Sequence, residues 1–250
     1  MALNIYEMDP KVYDEYINTK IEQINFDRVF SVIRNFSKNK NKIKILDLCC
    51  GTGIFPFKWL SQLDNVEYTG VDINKRFIEY AKKRLNKNKS YSFIVKDAVE
   101  VKLKDKFDIV LATSSYHHIV DKDKQKFLQN VNYHLDADGL FIVYEKILAP
   151  FNNKIQAVQS GTIFYLERIK DMLGKEKLNE NQLFALFNEQ YLTSIRKGEY
   201  KVDYAYFVND IKLAGFKLVK AIKLWPKKNI FNNLHVGDFI FIIKKINIDK

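Results

Sequence analysis

Asp47, Asp72 and Asp97 each close a short run rich in apolar residues, and the first is followed at once by the turn Cys49-Cys50-Gly51-Thr52-Gly53. Runs of this kind read as buried strands, so the three carboxylates fall at the tips of consecutive strands. A carboxylate at the second tip, 19 residues after Gly53, can accept both ribose hydroxyls of an adenosine. One at the third tip, beside Ala98, can accept from an adenine amino group. Gly51 and Gly53 permit positive φ and close approach of a ligand to the main chain. The turn also offers helix N-terminal N–H groups to an anion such as a carboxylate. A second cluster, Thr113-Ser114-Ser115-Tyr116-His117-His118, follows a fourth run. Histidine titrates near neutrality and suits the removal of a proton.

The elements that must position these residues alternate in type. Strands are predicted at Ile43 to Leu48, Val66 to Val71, Tyr91 to Val95, Phe107 to Ala112 and Leu140 to Tyr144, the last after an Asp138-Gly139 turn. Helical patterns at 54–63, 74–85 and 122–135 separate them. Repeated β-α-β order predicts a parallel sheet with helices on both faces and right-handed crossovers. Before this block, Pro10 follows Asp9 as a helix-opening proline, and a second helix at about 20–38 places Ile21, Ile24, Val29, Phe30, Ile33 and Phe36 at spacings of three and four. After it, 150–198 lacks strands and shows two helical patterns, too long for a bare loop. A helix closed by Gly215, a strand at Phe216 to Leu224 and a last strand at Asp238 to Ile246 complete the chain.

The chain has 250 residues, 47% of them hydrophobic, enough to build a substantial core. No apolar run approaches the ~20 residues needed to span a bilayer. Met1-Ala2-Leu3-Asn4-Ile5, followed by Glu7 and Asp9, does not fit a secretory leader. Cys49 and Cys50 are adjacent and too few for a zinc site, so no metal is expected and a reducing cytoplasm fits. The net charge of +11 admits a nucleic-acid partner. Lysines are scattered through every segment, however, with no basic arm or helix, so compositional bias is the favoured explanation.

Leu46-Asp47-Leu48-Cys49-Cys50-Gly51-Thr52-Gly53 resembles the first motif of the class I S-adenosylmethionine-dependent methyltransferases. Gly70-Val71-Asp72-Ile73 resembles the second, Lys96-Asp97-Ala98 the third, Phe107-Asp108-Ile109-Val110 with Ala112 the fourth, and Leu135 to Val143 the fifth. The resemblance runs from about Lys42 to Tyr144 and more loosely over 203–246. It implies an α/β, Rossmann-like, seven-stranded, mostly parallel sheet with an antiparallel last strand. It also implies one methyltransferase domain over 1–250, with an N-terminal helical cap (1–41), a cofactor-binding core (42–149), a helical insertion acting as substrate lid (150–198) and a C-terminal part of the core (199–250). Cys49 stands where the family usually has glycine; a small side chain still fits, so cofactor binding is expected to survive.

The cofactor implied is S-adenosyl-L-methionine, leaving S-adenosyl-L-homocysteine as product. Asp47, Cys49, Gly51, Gly53, Asp72, Ile73, Asp97, Ala98 and Thr113 are its candidate contacts, with Asp47 reaching the ammonium directly or through water and Ile73 packing on adenine. His117, His118 and Tyr116 are the candidate catalytic residues, with either histidine as base where the acceptor arrives protonated. Tyr13, Tyr16, Glu145, Tyr165, Tyr191 and Glu199 are candidate acceptor contacts beneath the helical lid. Lys201 is a further residue that could stand near the acceptor.

The family's adenine-N6 and glutamine enzymes carry an N/D-P-P-Y/F motif that Thr113-Ser114-Ser115-Tyr116 lacks, and cytosine-C5 enzymes need a cysteine there. A dehydrogenase turn wants G-x-G-x-x-G, which Phe55-Pro56 interrupts. The expectation is a cytoplasmic methyltransferase, monomer or homodimer, acting on a hydroxyl, amine or carboxyl of a small molecule. An RNA methyltransferase, a non-catalytic scaffold and a different transfer from the same sulfonium are the alternatives.

Overall fold

The computed structural model describes residues 8–87 and 90–246. The first seven residues of the expected N-terminal cap and the last four of the C-terminal part lie outside the described residues. Seven strands form one sheet in the order β3-β2-β1-β4-β5-β7-β6. These are β1 Ile43–Leu48, β2 Val66–Asp72, β3 Tyr91–Val95, β4 Phe107–Thr113, β5 Leu135–Ile147, β6 Phe216–Trp225 and β7 Gly237–Lys245. β7 runs antiparallel between β5 and β6, and the other paired strands are parallel. The strand order reverses between β1 and β4. In open α/β sheets that reversal opens a crevice at the carboxyl ends of the strands, and the Asp47 to Gly53 turn and the Ser114 to His118 segment both leave the sheet there.

The helices are α1 Pro10–Ile17, α2 Lys20–Ser37, α3 Ile54–Lys58, α4 Lys75–Arg84, α5 Lys124–His134, α6 Lys154–Lys175, α7 Glu180–Ile195 and α8 Tyr204–Leu213. Asp9 caps α1 by accepting from the Lys11 N–H, with Pro10 opening the helix. Asn179 and Gln182 form a reciprocal capping box on α7. The period-two alternation of the strands splits the core. Ile43, Ile45 and Tyr68 face α2 and α4, while Leu46, Leu48 and Val110 face α5 and α8. α6 packs along α7, and α7 packs against α1. The two helices between β5 and α8 therefore meet the N-terminal helices over one end of the sheet.

Two local expectations are corrected. Asp138-Gly139 is not a turn but part of the long strand β5, opposite a register irregularity at Phe107/Ile109. The glycine is required there because a Cβ at 139 would stand 2.9 Å from the Asp108 carbonyl oxygen. Ile24 is 56% exposed. The buried face of α2 instead carries Glu22 and Asn25, both almost fully buried.

Candidate active site

Between β1 and α3 the chain takes three left-handed residues, Cys49 (φ 66°), Gly51 (φ 57°) and Gly53 (φ 67°). The left-handed backbone at Cys49 is one that glycine adopts most readily. Gly53 is constrained further, since a Cβ would lie 2.9 Å from that of Ala81. The turn is held by Asp72: the Gly51 N–H donates to its Oδ2 and the Asn74 N–H to its Oδ1, each at 2.8 Å. Each oxygen keeps accepting capacity for a ligand hydroxyl. Asp97 Oδ1 accepts from the Val99 N–H at 2.8 Å, which fixes the tip of β3 in the same way.

These tips border a cavity of about 260 Å³. Cys49, Gly51, Asp72, Ile73, Asp97 and Ala98 form its wall on the β1–β3 side. Ile73, 53% exposed, presents an apolar face across it. Asp47, Gly53 and Thr113 lie outside this wall. Asp47 is buried behind the turn, where its Oδ2 accepts from the Tyr68 hydroxyl at 2.8 Å and its Oδ1 has no partner among the described residues. Burial pushes its carboxyl up to about 7, against the hydrogen bond from Tyr68. Thr113 ends β4 in register with Tyr144.

A second cavity of about 40 Å³ opens alongside. Tyr13 and Tyr16 from α1 wall it on one side, Glu189 from α7 on another, and His117 and Glu199 lie at its base. Tyr13, Ser114 and His118 line both cavities. His117 is held from both ends. Its Nδ1 bonds Glu145 Oε1, its backbone N–H donates to Glu145 Oε2 at 3.1 Å, and its Nε2 lies 3.4 Å from Glu199 Oε2. Burial, with Lys201 nearby, holds its imidazole well below the usual range, so it stays neutral. His118 Nδ1 sits 2.8 Å from the Gly198 carbonyl. A carbonyl can only accept, so this nitrogen carries a proton, which in the neutral tautomer leaves the lone pair on Nε2. His117, His118 and Glu199 each bring one potential ligand atom within 4.8 Å of the others, whereas on the sequence alone no metal is expected. Lys201 already bonds Glu199 within it.

Behind the second cavity lies a buried ionic network. Arg168 bonds Glu22 at 2.6 Å and also Asp238. Lys146 lies 3.6 Å from Glu22 and 3.4 Å from Glu189, and donates to Ser114 Oγ at 3.2 Å. Lys201 reaches Glu189 at 3.4 Å and bonds Glu199. Asn25 donates to Asp238 and to the Tyr144 hydroxyl, which donates to Glu22 at 2.7 Å. Of the network's charged residues, only Glu199 and Lys201 are candidates on the sequence alone. The available signal was a charge inside an apolar pattern: Arg168 shares the buried stripe of Phe164, Tyr165 and Met172 on α6.

The remaining candidates separate cleanly. Tyr116 points to the other face of the sheet, packs on Phe207 and bonds Asp210, and is absent from both cavity walls. The 3₁₀ turn at Tyr116–His118 sends successive side chains in different directions, which is why the tyrosine and the histidines part. Glu145 stands behind His117, and Tyr165 is buried outside both walls with Lys201 over its ring. Tyr191 is 50% exposed because α7 turns Ala185, Asn188 and Leu192 inward, placing 191 on the solvent side.

Residues 45–139 match the family described as "Methyltransferase domain". The chain is 27% identical over 217 residues to malonyl-[acyl-carrier protein] O-methyltransferase 1 of Ilyobacter polytropus, covering 85% of this chain and 73% of that enzyme. It is 24% identical to ribosomal RNA small subunit methyltransferase C of Haemophilus influenzae, over 53% of this chain and 43% of that protein's length. Its fold is similar to that of a TehB-like SAM-dependent methyltransferase from Corynebacterium glutamicum, with a TM-score of 0.55, 15% identity and coverage of 87% and 88% of the two chains. No helix among the described residues is long and apolar enough to cross a membrane. Residues 45–139 thus carry a methyltransferase domain, and the strand order and the glycine turn held by Asp72 are consistent with a class I S-adenosylmethionine-dependent methyltransferase.

Proposed function

We propose that the chain methylates a hydroxyl, amine or carboxyl of a small molecule seated in the second cavity, with S-adenosylmethionine in the first. The observation that carries this reading is the shared wall: Tyr13, Ser114 and His118 stand between the two cavities. When bound, S-adenosylmethionine supplies an electrophilic methyl carbon on a sulfonium. Asp72 and Asp97 are placed to accept from the ribose and adenine, and Ile73 to cover the base. Gly51 leaves room for the amino-acid portion, and Asp47 keeps an unpartnered Oδ1 behind the turn for its ammonium. S-adenosylhomocysteine leaves the same site as product.

Alignment of the two reacting atoms is the main contribution such a site makes, together with exclusion of water. α1 and α7 supply that exclusion by roofing the second cavity, and residues 150–198 act as its lid. His118 is the base favoured by its free Nε2 at the junction. His117, neutral and tied to Glu145, positions it and Glu199. The RNA-modifying relative and the net charge of +11 motivate a second reading, an RNA acceptor, which requires binding to RNA that falls steeply with salt.

A metabolite screen for consumption of S-adenosylmethionine, repeated with His118→Ala and His117→Ala, tests the proposal. Loss of about 10²- to 10⁴-fold in kcat for His118→Ala is the expected size of a general-base effect. Unchanged turnover in both variants contradicts the base assignment. Absence of S-adenosylhomocysteine binding contradicts the whole reading.

A further inference from the structure

The second cavity differs in charge from what a carboxylate acceptor needs. Glu189 and Glu199 stand in its wall, with Glu22, Glu145 and Asp238 directly behind. Against these five carboxylates stand three cations, and each is already engaged by two of them: Arg168 by Glu22 and Asp238, Lys146 by Glu22 and Glu189, Lys201 by Glu189 and Glu199. His117, buried and neutral, adds no positive charge. No cation in this set is left to receive an anionic ligand. An acceptor oxygen, by contrast, has spare capacity: Glu189 Oε2 is buried and accepts no close hydrogen bond among the described residues, with the Tyr16 and Tyr165 hydroxyls bearing on its carboxylate only loosely. Buried polar atoms are ordinarily paired, so this one marks a place for a donor. Two tyrosine rings, Tyr13 and Tyr16, complete the wall, and aromatic faces attract ammonium groups.

Resting on the methyl-transfer reading above, we propose that the acceptor is a small amine, recognised as its ammonium by Glu189, Glu199 and the two tyrosines and methylated at nitrogen. A volume of about 40 Å³ has room for roughly three waters, that is, for the amine head and a carbon or two. Binding of the ammonium sets a cation against the Glu189 and Glu199 carboxylates. For reaction, one N–H proton passes to His118 Nε2. The freed nitrogen lone pair then forms the N–C bond while the C–S bond breaks with its electron pair staying on sulfur. The products are the N-methylated ammonium and a neutral thioether, and the proton on His118 is released to solvent.

The test is calorimetry on the full chain saturated with S-adenosylhomocysteine, titrated with n-propylamine and propionate, and with ethanolamine and glycolate, pairs of matched size and opposite charge. The amines are expected to bind at least about tenfold more tightly than their carboxylate partners. Glu189→Gln is expected to weaken the amines by about tenfold or more while S-adenosylhomocysteine affinity stays within about threefold. Equal or tighter binding of the carboxylates by the wild-type chain overturns the proposal without reference to any variant. Amine affinity unchanged in a folded Glu189→Gln chain overturns it as well. Failure of S-adenosylhomocysteine itself to bind defeats the methyl-transfer reading instead, so the two failures are distinguishable.

Discussion

The two sides of the shared wall are built by opposite strategies. On the cofactor side, a few residues at three consecutive strand tips hold one another through backbone groups: Asp72 takes the Gly51 and Asn74 N–H groups, and Asp97 takes that of Val99. Every bond is short-range within the β1–β3 block. On the acceptor side, Glu22, Lys146, Arg168, Glu189, Lys201 and Asp238 converge from α2, β5, α6, α7, the segment before α8 and β7. That side exists only once the chain has folded. A site assembled from local turns tolerates change elsewhere in the chain, whereas one assembled from distant buried charges is coupled to global stability.

The largest expected effect follows from that difference. Arg168→Ala strips the cation from two buried carboxylates, and breaking a buried pair in this way costs about 3–5 kcal/mol of folding stability. Urea denaturation should register the loss, while the folded fraction keeps its affinity for S-adenosylhomocysteine. A matching loss of cofactor affinity would show that the two sides are not separable.

A smaller, pH-dependent effect probes the cofactor side. Asp47 has a folded-state pKa of about 7 against an ordinary value of 3.8. The folded state therefore binds the extra proton between those values, and stability falls as pH rises through that window. The stabilisation is fully present below about pH 4 and gone above about pH 7. Between pH 5 and 8 this amounts to about 3 kcal/mol, and Asp47→Asn should flatten the slope. If the ionised carboxylate meets the cofactor ammonium, S-adenosylhomocysteine should also bind more tightly as pH rises through 7 in the wild type and not in Asp47→Asn. Parallel pH profiles in the two proteins would remove Asp47 from the site.

The smallest effect belongs to Tyr116. Tyr116→Phe removes a buried hydrogen bond to Asp210 on the far face of the sheet and should cost about 1–3 kcal/mol in stability, with kcat and cofactor affinity unchanged. A drop in kcat at constant stability would return this residue to the chemistry.

The contrast also explains what the sequence discloses. The strand order was legible because βα alternation and handed crossovers leave few topologies, and the antiparallel β7 matches the expectation for Asp238 to Ile246. The placement of Asp72 and Asp97 at strand tips was legible because the apolar runs mark where the strands end. Asp138-Gly139 misled because the same dipeptide that makes turns also serves where a strand passes close to a carbonyl. Tyr116 and Tyr191 misled because adjacency in sequence does not fix the direction of a side chain in a 3₁₀ turn or on a helix. Glu22, Asn25 and Arg168 stand as breaks in apolar stripes, yet apart from the Tyr16 hydroxyl on Glu22 the partners that pair them lie 70 or more residues away.

The 260 Å³ cavity is proposed to hold the cofactor and to face the acceptor cavity across Tyr13, Ser114 and His118. A crystal structure with S-adenosylhomocysteine tests this placement most directly. The expected result is ribose hydroxyls on Asp72, adenine between Ile73 and the Asp97-Ala98 tip, and the sulfur directed at His118 and the mouth of the second cavity. A ligand bound elsewhere, or one whose sulfur points away from His118, would contradict it.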